Sequence, residues 1–275
     1  MRRFELDQYK SEIIRLYVEE KLSCKKISLK INASLCGIYD ALRRWGISTR
    51  DLSLSHREYK VDENFFDIID TEEKAYWLGF IYADGYISLP NHFGIALAKK
   101  DIGHLQKLLI HMKSDYPLKN YQSKSDYGKT EYTRFLVNNS NIFNQLKNKG
   151  VHLKKSLILD YPNEDILPKQ LYRHFIRGYF DGDGSLILSV HSINFKICGT
   201  KEFLTVLINI FNEISDYKFQ YKLFKRRNDD KNNYYISYGG KYKIYPIMNY
   251  LYENSKIYLD RKMEKYLILK NLYNN

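Results

Sequence analysis

Cysteine is scarce in this 275-residue chain, and the three present form no pattern. Cys24, Cys36 and Cys198 include no CxxC pair, which argues against a disulfide framework or a structural zinc site. The seven histidines include no HExxH, so a zincin is unsupported. "GIY" at 37–39 has no matching YIG, and "HSIN" at 191–194 lacks the rest of an HNH site. No apolar run approaches the roughly 18 residues of a membrane span. The opening "MRRFELDQ" has no apolar signal-peptide region. An intracellular protein is expected, in the cytoplasm or nucleoid, a phage-infected cell or an organelle, not secreted and without a membrane partner.

What is present in excess is positive charge, +12 overall, with 26 tyrosines often beside lysine or arginine. Such a surface favours a polyanion such as nucleic acid, through counterion release from phosphates. The stretch "QYKLFKRRNDDKNNYYISYGGKYKIY" is the densest case, and Lys225, Arg226 and Arg227 are candidate DNA contacts within it.

The first 56 residues read as three short helices. Ile13, Leu16 and Tyr17 lie at helical spacing, Ser23 caps "CKKISLKI", and Ser34 caps "LCGIYDALRRWG", which Gly46 ends. The pattern resembles a helix-turn-helix, with Ser34, Tyr39, Arg43 and Arg44 as candidate DNA contacts. A small helical bundle with no DNA role is the alternative. Residues 57–68 read as a linker.

The rest of the chain is a repeat, expected over 69–162 and 163–275. Each copy runs helix, two strands, helix, strand, helix: "EEKAYWLGFIYADG" opens the first and "QLYRHFIRGYFDGDG" the second. The fold class predicted is α+β, a duplicated αββαββα-like unit with pseudo-two-fold symmetry, behind a small all-α domain.

Both opening helices end on Asp-Gly, at Asp84 and Asp183, and carry small residues four apart: Gly79 and Ala83, Gly178 and Gly182. Residues i and i+4 share a helix face, so each helix presents a bare strip where another backbone can approach. A helix-interior glycine costs about 0.5–1 kcal/mol relative to alanine, so Gly79 and Gly178 call for a packing reason. If the strips pack together, two carboxylates meet at the negative ends of two helix dipoles. A divalent cation between them offsets both penalties, and carboxylate, carbonyl and water ligands suit Mg²⁺. One Asp-Gly is a plain turn; two at the same place in two copies are harder to explain so. An EF-hand fails, because Leu186 and Ser192 stand where its loop needs Gly and Glu.

"WLGFIYADG" (77–85) and "IRGYFDGDG" (176–184) resemble the paired motifs of the LAGLIDADG homing endonucleases in their single-chain form. The resemblance covers roughly residues 70–270. It implies a site-specific endonuclease that cuts double-stranded DNA and leaves short 3′ overhangs. Asp84 and Asp183 then take the place of the metal-binding catalytic carboxylates, and Ala83 and Gly182 that of interface residues whose carbonyls can reach metal. The implied cofactor is Mg²⁺, with Mn²⁺ or Ca²⁺ able to substitute for binding. The family's basic residues near the scissile phosphates suggest Lys155 and Lys262, in "LKKS" and "LDRK"; solvated surface lysines are the plain alternative. Tyr82 departs from the family's usual Asp at a place where the second copy keeps Asp181. The implied partner is a long, imperfectly palindromic DNA site, bound by a monomer. An intron RNA maturase and a non-cleaving DNA-binding regulator are alternatives on the same fold, and an intein is disfavoured by the two chain ends.

Overall fold

The computed structural model describes residues 5–49, 59–125, 128–153, 158–225 and 231–274. The chain divides into two compact units, 1–60 and 61–275.

In the first unit a short 3₁₀ turn, Asp7–Tyr9, leads into α1 (Lys10–Val18), α2 (Cys24–Ile31) and α3 (Leu35–Arg44). Local chemistry sets the ends. The Ser23 hydroxyl accepts from the Lys26 amide and that of Ser34 from the Gly37 amide. Asn32 (φ 53°) and Gly46 (φ 72°) stop α2 and α3 in the left-handed region. Ile13, Leu16, Ile27, Ile38 and Leu42 form a separate small core.

The second unit holds the repeat. Its first copy runs α4 (Glu72–Ala83), β1 (Gly85–Ser88), β2 (His92–Ala98), α5 (Ile102–His111), β3 (Lys119–Ser125), β4 (Gly128–Asn138) and α6 (Ser140–Asn148). The second runs α7 (Tyr172–Asp183), β5 (Gly184–Leu188), β6 (Ile193–Gly199), α8 (Lys201–Glu213), β7 (Phe224–Lys225), β8 (Tyr234–Gly239), α9 (Lys241–Tyr252) and α10 (Asp260–Asn274). Each copy builds a four-stranded antiparallel sheet with one strand order, β1-β2-β4-β3 and β5-β6-β8-β7. The architecture is a duplicated α+β unit.

Helix α4 is buried from Ala75 to Tyr82 on every side, as expected of a helix enclosed within a core rather than lying on it. One core spans both copies, from Phe66 and Phe93 to Phe195 and Met248. Among the described residues no helix is long and apolar enough to cross a membrane.

The structure corrects the sequence reading in two places. Residues 57–68 are not all linker: Phe65 and Phe66 are buried in the large core, and the Asp62 amide donates to the Met112 carbonyl at 2.7 Å. Two aromatic side chains in a polar stretch were enough to dock it. The strands β3 and β7 were also not foreseen. "KNYQSKS" has no apolar alternation because β3 is an edge strand, held to β4 by its backbone ladder.

Candidate active site at the paired helix ends

The glycines explain how α4 and α7 meet. A Cβ on Gly79 would fall on the Phe175 carbonyl oxygen, and one on Gly178 on the Tyr76 carbonyl oxygen. The contact is reciprocal, as a two-fold relation requires, and only hydrogen fits at either point. The helices are therefore locked backbone to backbone, and their C-terminal ends are brought side by side.

At that end, Gly182 is the seat of the Asp84 carboxylate. A Cβ there would lie 3.2 Å from Asp84 Oδ2 and would overlap the Ala83 methyl. Asp183, the last residue of α7, follows directly, and both aspartates are exposed. Beneath them the buried Tyr179 hydroxyl donates to the Cys198 carbonyl at 2.8 Å. Burial first, then the charges of Asp183 and, to a lesser degree, Asp84, push this phenol well above its ordinary range. One hydroxyl thus feels both carboxylates. Among the described residues no three His, Cys, Asp or Glu side chains form a metal-holding group. The side-chain groups gathered at these helix ends that could hold a metal are the two carboxylates, oxygen donors only.

Lys262 is not a surface lysine, nor does it sit where a phosphate from solvent would meet it. It is 3% exposed. Its ammonium, on α10, donates to the Phe180 carbonyl at 3.2 Å and to the Gly184 carbonyl, and lies 4.5 Å from the Phe180 ring centroid. It thereby gives the Phe180 carbonyl, which already accepts from the Gly184 amide, a second donor, and offsets the negative pole of α7. Burial lowers its pKa to about 8, against the pull of Asp181. Lys155, the candidate from the first copy, lies outside the described residues.

Sequence reading missed the buried polar network behind the site. Asp181 is fully buried and accepts from Tyr76 at 2.6 Å, the Leu259 amide at 2.8 Å and the Tyr252 hydroxyl. Burial raises its pKa, and those donors oppose the shift. Arg177, also fully buried, donates to Glu72 at 2.7 Å and to the Ile257 and Leu251 carbonyls at 2.8 Å. These contacts tie the first copy's α4 to the second copy's α7 and closing loop. The available signal was two charged residues inside an apolar helix, "FIRGYFDG".

The outer faces of the sheets carry cations and aromatic rings. On the first, Tyr121 and Tyr132 stack at 5.4 Å and Arg134 lies over Tyr121 at 4.4 Å. On the second, Lys196 lies 3.7 Å over Tyr235, which stacks on Phe224. Lys225 is exposed on β7, and Arg226 and Arg227 lie outside the described residues.

In the first unit Arg43 is exposed, whereas Arg44 bonds Asp7 at 3.2 Å. The Ser34 hydroxyl is engaged as the cap of α3. Tyr39 is half-buried against the small core.

No protein-family model matches the chain. The solved structure of the homing endonuclease I-WcaI bound to its DNA recognition sequence aligns over 80% of this chain and 96% of that one, at 17% identity and a TM-score of 0.52. The LAGLIDADG meganuclease I-AabMI, bound to uncleaved DNA, aligns over 73% and 91%, at 12% identity and a TM-score of 0.44. The chain has the LAGLIDADG fold. Full-length DUF199/WhiA from Thermatoga maritima aligns over 77% of this chain and 65% of its own, at 14% identity and a TM-score of 0.45. A curated relative, the probable translation initiation factor IF-2 of Methanocaldococcus jannaschii, is 33% identical over 158 residues. That match takes in 48% of this chain and 13% of the relative's length.

Proposed function

We propose that the protein is a site-specific double-strand DNA endonuclease in which Asp84 and Asp183 hold divalent metal, Mg²⁺ in the cell. One observation carries the reading: two exposed carboxylates stand at the adjoining C-terminal ends of two glycine-locked helices. Like charges and two negative helix poles are gathered there, a cost to folding that the buried Lys262 only partly offsets. The oxygen-only donor set suits Mg²⁺, which keeps several waters and binds through one or two carboxylates plus substrate phosphates. Asp84 and Asp183 would hold the ion, with the Ala83 and Gly182 carbonyls beside them. When bound, it would supply an activated water and charge stabilisation at the scissile phosphate.

The chain's own part is placement. The interlocked Gly79 and Gly178 set the lateral position of the two carboxylates. Lys262 holds the end of α7 from below through the Phe180 and Gly184 carbonyls, and so acts as a positioning residue. The two sheets offer their outer faces to the major groove, one per half-site. The first unit adds a second DNA contact as a helix-turn-helix, with the exposed Arg43 on its third helix. A single chain holds both carboxylates, so the active form is a monomer and its target an imperfect palindrome at best.

The test is direct. Asp84→Asn and Asp183→Asn should each abolish double-strand cleavage of a selected target in Mg²⁺, with binding in Ca²⁺ within about threefold of wild type, well under one interaction's worth. Full cutting by either variant would remove the assignment. A wild-type protein that binds its target and leaves it intact would make it a non-cleaving regulator.

A further inference from the structure

Arg134 stands apart from the other cations on the sheet surfaces. It lies on β4, an interior strand, paired with Ala96 of β2 on one side and Lys119 of β3 on the other. Its neighbours Thr133 and Phe135 point into the core, so its own side chain rises from the outer face. There it is pinned. It donates from Nη2 to the Tyr121 hydroxyl at 2.7 Å and stacks on that ring at 4.4 Å. Tyr132 stacks on Tyr121 beside it at 5.4 Å. Its Nε is buried and has no hydrogen-bond partner.

No carboxylate shares that face among the described residues. The outward positions include Tyr86 and Ser88 on β1; His92, Gly94, Ala96 and Ala98 on β2; Lys119, Tyr121 and Ser123 on β3; and Thr130, Tyr132, Leu136 and Asn138 on β4 itself, none of them an acid. The buried Nε is closed to an outside ligand, but Nη2 spends only one of its two hydrogens on Tyr121. With no acid beside it, the Nη1 and Nη2 end of the guanidinium is left for an acceptor from outside the molecule. Its rigid fork matches two acceptors side by side, and pinning lowers the ordering cost of binding them. In the major groove that pair is O6 and N7 of guanine. If the sheet lies in the major groove as proposed, an interior strand meets the groove floor rather than the phosphate rims. The second sheet has no arginine at its described outward positions; Lys196, a point charge, lies on Tyr235 instead.

We propose that Arg134 reads a guanine in the half-site taken by the first repeat and sets the identity of that base. This rests on the proposed DNA-endonuclease reading, and the experiment separates the two. The full-length protein in Ca²⁺ is used to select duplexes from a randomised library, as wild type, Arg134→Ala and Arg134→Lys, each checked by thermal melting. Wild type should select one near-invariant guanine on a single side of the centre. Both variants should lose that preference and keep the rest of the pattern. Arg134→Ala should bind the wild-type target tenfold to a hundredfold more weakly, on the order expected for a bidentate base contact. Changing that guanine to adenine should cost wild type the same factor and cost Arg134→Ala nothing. If the variant weakens every duplex alike, Arg134 meets a phosphate and the proposal fails. If the guanine persists in the variants, another residue reads it and the proposal also fails. A wild-type protein that selects no pattern overturns the site-specific reading itself, and this inference with it.

Discussion

Asp181 and Asp183 sit two residues apart on α7 and meet opposite environments. Asp183 reaches solvent beside Asp84, whereas Asp181 is enclosed by two tyrosine hydroxyls and the Leu259 amide. Their residue type is shared, so only the neighbours separate a structural carboxylate from one offered to a ligand. The same network contains His104, whose Nε2 lies 3.0 Å from the Tyr76 hydroxyl. Burial, aided by the charges of Lys107 and Arg261, lowers its pKa from an ordinary 6.5 to about 3. The unfolded chain therefore takes up a proton through a pH range in which the folded one does not. The stability contributed by a neutral His104 is full above pH 6.5 and drains as pH falls towards 3. His104→Gln lacks that titration. The stability difference between wild type and His104→Gln, from urea midpoints, should shrink by on the order of 1–2 kcal/mol between about pH 7 and about pH 5. A difference independent of pH would mean that the folded protein protonates His104.

At the scale of elements, the α4–α7 crossing is the tightest joint in the molecule and the one on which the candidate site depends. Gly178→Ala adds one methyl, yet that methyl meets the Tyr76 carbonyl and the Phe80 amide, which are backbone and cannot rotate away. The helices must part, at a cost of about 1–3 kcal/mol or more, and the separation of Asp84 and Asp183 changes with them. Gly103→Ala on α5 is the matched control, because nothing lies within 4 Å of its added carbon. It should be neutral or slightly stabilising, since alanine is the better helix former. Thermal melts decide the matter: equal midpoints for the two variants would show that Gly178 does not face the other helix.

For the whole molecule, the question is what the first unit adds. It has its own small core and occurs once, whereas the repeat occurs twice. A chain of residues 61–275 keeps the large core and both aspartates. It should cut at saturating protein, bind more weakly than the full chain, and leave a footprint shortened on one side only. Its affinity should also fall less steeply with salt, because Arg43 and the nearby lysines no longer displace counterions. An unchanged footprint and salt slope would reduce residues 1–60 to a helical cap. Sedimentation with target DNA should give one chain per duplex, since the two copies already supply both aspartates.

Whatever depends on near neighbours along the chain was legible before any fold was known. Helix spacing, the Ser23 and Ser34 caps, the order of elements in the two copies and the Asp-Gly ends of α4 and α7 are set within a few residues, so reading one stretch is enough. The duplication multiplied that information, because Gly79 and Gly178 could be compared. Tertiary structure alone decided the rest. Polar β3 became a strand only because β4 offered a ladder, and Phe65 and Phe66 left the linker only because a core lay within reach. Arg177 is satisfied by Glu72, 105 residues away, and Lys262 by carbonyls 82 and 78 residues away. A buried charge is tolerable or ruinous according to its partners. Partners so distant in the chain are assigned by the fold, and no local pattern names them.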